Sequence, residues 1–99
     1  MLLIREILYC RPGKVRPMVK NFLAMAKVME KAGFPRMRVT TDLSAERYWT
    51  VVAETEVPSV EEYFAMDEKM GDMPELGELM KDYHENVDWG RREIYKIEE

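Results

Sequence analysis

Ninety-nine residues, 46% of them hydrophobic, are enough for one core and too few for two, so a single domain over 1–99 is expected. Fifteen basic against nineteen acidic residues give a net charge of −4, which leaves no electrostatic footprint for nucleic acid. The lone Cys10 excludes an internal disulfide and a zinc centre built from several thiolates, and no metal or other cofactor is expected. The apolar start is broken by Arg5 and Glu6 before it reaches the length of a leader or membrane span. A soluble cytoplasmic protein with no membrane partner is the expectation.

Leu2 to Cys10 reads as a strand that "RPGK" ends with a turn. Leu2, Ile4, Leu8 and Cys10 fall on one side with Glu6, and Leu3, Ile7 and Tyr9 fall on the other with Arg5. From Val15 the period becomes helical: Met18, Val19, Phe22, Met25, Ala26 and Met29 recur at three- and four-residue steps, Pro17 falls in the first turn, and Gly33 supplies the stop.

Arg36 to Glu54 reads as a hairpin turning through Asp42, Ser44 and Ala45. Placing Val39 opposite Trp49 and Met37 opposite Val51 gathers Met37, Val39, Trp49, Val51 and Ala53 on a core face. Arg36, Arg38, Thr40, Tyr48, Thr50, Val52 and Glu54 then face the other way. Ser59 with Glu62 reads as a capping box opening a helix whose Val60, Tyr63 and Phe64 point inward. Gly71 closes that helix, and Asp72, Pro74 and Glu75 open a shorter one with Leu76, Leu79, Met80 and Tyr83 on its apolar side. A last strand runs from Trp89 to Ile97.

The order β-α-β-β-α-β predicts an α+β, ferredoxin-like fold: one four-stranded antiparallel sheet covered by helices on a single face. The open face would then present Ile7, Tyr9, Tyr48 and Val52 among Arg and Thr residues, more apolar area than a small isolated domain leaves in one patch. A twofold homodimer with its sheets face to face is the simplest way to cover it.

The segments "RPGK", "KAGF", "TDLSAERYWTVVAETEVPSVEEY" and "GRREIYKI", in this order and spacing, give the chain a resemblance to the dimeric α/β-barrel superfamily, which includes NIPSNAP-like proteins and antibiotic-biosynthesis monooxygenase-like domains. The resemblance implies paired sheets and a small, mostly apolar ligand held between sheet and helices. It also implies a choice of chemistries, including cofactor-free oxidation, haem degradation and isomerisation. Haem degraders of this fold use an Asn on the first strand, a Trp on the third and a His on the next helix. Trp49 matches the second of these, but residues 2–10 hold no Asn and His84 lies in a later helix, so that activity does not carry over.

His84, the only histidine, reads either as a general base or ligand beside Met80, or as a surface residue whose cation suits a helix C-terminus. Trp49 and Tyr63 read as core aromatics that also line the sheet-helix space, joined there by Met80 and His84 as the candidate ligand-binding set. Tyr9, Arg38, Tyr48 and Glu54 form either a polar constellation or an interface in which Arg36 or Arg38 answers Glu54. Tyr9 and His84 are the candidates for moving a proton. Cys10 beside Arg11 has no catalytic partner in sequence and reads as a structural thiol. Three roles remain open: a homodimer that binds or processes a small apolar or aromatic molecule, a cofactor-independent monooxygenase or isomerase, and a non-catalytic interaction module. Catalytic and non-catalytic roles both fit these residues.

Overall fold

The computed structural model describes residues 1–99, with β1 (Leu2–Cys10), α1 (Val15–Lys31), β2 (Met37–Thr41), β3 (Thr50–Val57), α2 (Val60–Gly71), α3 (Pro74–Leu79), α4 (Tyr83–Asn86) and β4 (Val87–Lys96) in chain order. The strands form one antiparallel sheet in the order β2-β3-β1-β4, the split βαβ arrangement expected from the sequence. Overall extents of 35 × 34 × 18 Å describe a slab one sheet and one helix layer thick.

The helices lie on the face that carries Ile4, Leu8 and Cys10 of β1 with Val51 and Val57 of β3. Met18, Phe22 and Met25 of α1 pack there with Leu76, and Met29 packs with Tyr63 and Met66 of α2. Gly33 ends α1 in the left-handed region (φ 83°), where glycine has no steric penalty, and the Phe34 N–H returns to the Met29 carbonyl at 3.0 Å. Ser59 caps α2 by accepting the Glu62 N–H at 3.2 Å. No helix is long and apolar enough to cross a membrane.

Several local expectations are corrected. Val60 and Phe64 point outward, and Met66 replaces them on the buried side of α2, one turn beyond Tyr63. Asp72 closes α2 and does not open α3, whose N-cap is Met73 with no side-chain hydrogen bond. The hairpin register places Met37 opposite Thr55, Val39 opposite Ala53 and Thr41 opposite Val51. This is an even shift from the expected pairing, so every strand residue keeps its face, but the turn lengthens to residues 42–49 and takes Tyr48 and Trp49 out of the sheet.

That long turn changes the second face of the sheet. Ile7, Tyr9 and Val52 form a small buried cluster there. The Arg47 guanidinium lies 4.3 Å from the Tyr9 ring centroid, and the Trp89 ring stacks on Tyr9 at 5.0 Å. Three of the four apolar residues expected on that face are therefore shielded inside the chain, and the fourth, Tyr48, stands 85% exposed in the turn. Beyond the cluster, Arg5 bridges Glu54 at 2.9 Å and Glu93 at 3.1 Å, so Arg5 answers Glu54 where Arg36 or Arg38 was expected.

Candidate functional site

Successive side chains of β1 alternate between faces, which sends Glu6 to the helix side between Ile4 and Leu8. It is the only charged residue of β1 on that side. Two donors meet it. The Tyr63 hydroxyl donates to Glu6 Oε1 at 3.4 Å from α2, and Arg92 Nε of the paired strand β4 donates to the same oxygen. Both bonds go to Oε1, which leaves Oε2 without a protein partner. The Arg92 guanidinium also lies 5.3 Å from the Tyr63 ring centroid, so one cation holds both the carboxylate and the ring.

Tyr63 is 5% exposed. Burial pushes its hydroxyl up to about 12; Arg92 opposes that rise, and Glu6 and Asp67 reinforce it. At neutral pH it is a hydrogen-bond donor and not a base. Tyr83 is raised in the same direction, first by burial and then by Glu6 and Cys10. Burial, followed by Asp42, raises the Cys10 thiol, which disfavours the nucleophilic thiolate.

Beside Glu6 and Tyr63 the sheet and helices leave a cleft of about 100 Å³, walled by Met25, Met29, Met37, Met66 and Met70 with Phe22. Met25, Asp67 and Met70 also wall a more open groove of about 500 Å³ between α2 and α3, which Met73, Leu76 and Met80 complete. Inner cleft and outer groove thus share a wall of flexible thioether side chains. Methionine combines low packing specificity with polarisable sulfur and suits a site that reshapes around an apolar guest.

The structure divides the residues singled out from sequence. Tyr63 lies on the inner cleft and Met80 on the outer groove. Trp49 is 43% exposed and lies with Tyr48 in a separate cleft at the end of the sheet. His84 is exposed in the single-turn helix α4, with its ring edge against Tyr83 at 5.3 Å, and lines neither Met-walled space. Tyr9 belongs to the opposite face of the sheet, under Arg47 and Trp89. Sequence reasoning gave no role to Glu6 and Arg92. The signal for Glu6 was present, since a carboxylate interrupts the apolar side Leu2, Ile4, Leu8, Cys10; Arg92 required the β1–β4 register, which pairs it with Glu6.

No family model and no curated protein sequence matches the chain. Solved structures do. An uncharacterised NIPSNAP domain protein from Burkholderia xenovorans superposes with a TM-score of 0.82 over 99% of this chain and 95% of its own, at 15% identity. The fold is that of the NIPSNAP domain. A NIPSNAP family protein from Agrobacterium tumefaciens gives a TM-score of 0.82 at 9% identity, covering 96% of this chain and 90% of its own. An antibiotic biosynthesis monooxygenase gives 0.75 at 10% identity over the full length of both chains. This fold is thus shared with proteins that have few residues in common with this chain.

Proposed function

We propose that this chain is a homodimeric small-ligand-binding protein whose Met-walled cleft takes a small apolar or aromatic molecule bearing a hydroxyl group. The observation that carries the reading is Glu6 on the lining of that cleft, with Oε1 bound by Tyr63 and Arg92 and no protein partner at Oε2. An apolar space with a few convergent polar groups is the usual form of a small-molecule site, and because the inner cleft holds only about 100 Å³, a bicyclic guest would extend past Met25 and Met70 into the adjoining groove of about 500 Å³. A ligand hydroxyl donating to Oε2 would gain a charge-assisted hydrogen bond while its ring packs on thioethers.

The reading is tested with methyl-labelled methionine and 2-naphthol as the probe, followed by NMR. Saturable shifts at Met25, Met66 and Met70 are expected, with affinity reduced about tenfold in Glu6→Ala, the effect of one hydrogen bond to a charged acceptor. Unshifted Met66 and Met70 signals refute it and leave the interaction module, with the space filled by its own side chains.

The dimer is supported by Tyr95, which stands half exposed beside Leu3 on the face away from the helices, and by the paired sheets that the resemblance implies. A second copy removes that apolar area from water. A catalytic reading rests on the same site. A carboxylate with one free oxygen beside an apolar space can take a proton from a phenol, the first step of a cofactor-independent oxidation or isomerisation, and one protein of this fold is an antibiotic biosynthesis monooxygenase. Oxygen uptake on a hydroquinone by the native protein, lost in Glu6→Gln, supports that version; binding without turnover rejects it.

A further inference from the structure

Trp49 is the one non-glycine residue in the left-handed backbone region, with φ 62°. A large side chain is disfavoured there, and a turn that needs this conformation takes glycine or asparagine with less strain. Hydrogen bonds on both sides hold it. The Cys10 N–H donates to the Trp49 carbonyl at 2.8 Å, the Thr50 N–H to Asp42 Oδ1 at 2.9 Å, and the Thr50 hydroxyl to the Arg47 carbonyl at 2.8 Å. The consequence is directional. Strand alternation would bury Trp49 beside Val51, and the left-handed step brings its indole to a cleft of about 500 Å³ shared with Tyr48, Asp42, Gly13, Val15 and Arg16.

The lining of this cleft has a definite chemistry. Two aromatic side chains are exposed together, Trp49 at 43% and Tyr48 at 85%. Arg16 forms no ion pair. Its segment, Arg11 to Lys20, carries four cations and no carboxylate, and of these only Arg11 is paired, with Asp88 at 3.7 Å. Asp42 is the one acidic group on the lining, and its Oδ1 is turned to the Thr50 N–H.

We infer that this cleft is a second ligand site, independent of the Met-walled one, that binds a planar aromatic anion with its ring against Trp49 and Tyr48 and its charge on Arg16. Ring stacking supplies affinity in an open cleft, and the unpaired guanidinium selects a carboxylate or sulfonate over a neutral or cationic ring of the same shape. The volume suits a bicyclic ring system.

The test uses the full chain and three probes of equal ring size: 2-naphthoate, 2-naphthalenemethanol and 2-naphthylmethylamine. Binding is followed at the Gly13 amide and the Trp49 indole N–H, the latter assigned by its loss in Trp49→Phe. Naphthoate is expected to saturate these signals with a Kd below about 1 mM, and the alcohol and amine to bind about tenfold more weakly. Arg16→Gln should remove that preference and leave the alcohol unaffected. Trp49→Gly, which keeps the left-handed turn, should abolish binding with the fold intact. Equal binding of the three probes, naphthoate affinity unchanged in Arg16→Gln, or shifts at Tyr63 and Met66 in place of Gly13 and Trp49 would each overturn the assignment.

Discussion

Raising the pH through the range in which Tyr63 ionises should lower the stability of the fold by a calculable amount. The group titrates near 10 when unfolded and near 12 in the fold, chiefly because burial penalises the phenolate. The folded state therefore holds its proton more tightly, so this contribution is complete below pH 10 and is lost as pH rises toward 12. Two units correspond to about 2–3 kcal/mol at most, and solvent around the partly exposed Glu6 and Arg92 beside the hydroxyl reduces this to about 1–2 kcal/mol. Tyr63→Phe separates this group from every other that titrates there. Near neutral pH the variant should be less stable by about 0.5–1 kcal/mol, for the loss of one long hydrogen bond to Glu6. Above pH 11 the order should reverse, since the variant has no phenolate to bury. Urea denaturation of both proteins across this range reads the crossover, and ultraviolet difference spectra read phenolate formation directly. A wild-type minus variant difference that stays level to pH 12 refutes the reasoning.

Gly90→Ala would place a Cβ 2.8 Å from Leu8 Cδ2 and 3.3 Å from the Ile7 carbonyl oxygen, and should cost about 1–3 kcal/mol by thermal or urea unfolding. Trp49→Gly relieves a left-handed strain of about 1–2 kcal/mol against the loss of a partly buried ring, so its melting temperature should not fall below the wild type's. Tyr95→Glu puts a charge on the half-exposed far face beside Glu93, and sedimentation should show the mass falling from twice 11.7 kDa to a single chain with the fold retained by circular dichroism. His84→Ala should leave both naphthol binding and stability within about 0.5 kcal/mol of the wild type, because the residue is exposed and lines neither Met-walled space.

What sequence conveyed well was periodicity. The alternation of β1 assigned each of its residues to the observed face, and the three-and-four spacing from Val15 located α1 and its buried Met18, Phe22, Met25 and Met29. What it conveyed poorly was turn geometry. Asp42, Ser44 and Ala45 offered a short turn, yet two backbone hydrogen bonds, Cys10 N–H to Trp49 and Asp42 N–H to Thr50, stabilise a longer one that no local pattern announces. A four-residue error in pairing preserved the faces and still relocated Trp49, because its conformation is set by long-range partners. The misplaced inward direction of Phe64 has a related cause: α2 is amphipathic through Tyr63 and Met66, and which flank of Tyr63 meets the sheet depends on how the helix is rotated against it.

The same long turn explains how one small sheet can serve two surfaces without a large exposed patch. At the end near Tyr9, the chain covers its own apolar cluster with Arg47 and Trp89, so that corner does not depend on a partner. Toward the other end, the row Glu54, Arg5, Glu93 and Arg91 is already paired within the chain, with bridges of 2.9, 3.1 and 2.9 Å. Charges that arrive paired lose less on desolvation than charges that must find partners across an interface. A second copy meeting this face would thus bury neutralised polar groups alongside Tyr95 and Leu3, which register places side by side. In the proposed dimer, association would then rest on the apolar area of Tyr95 and Leu3, with the ion pairs already satisfied within each chain.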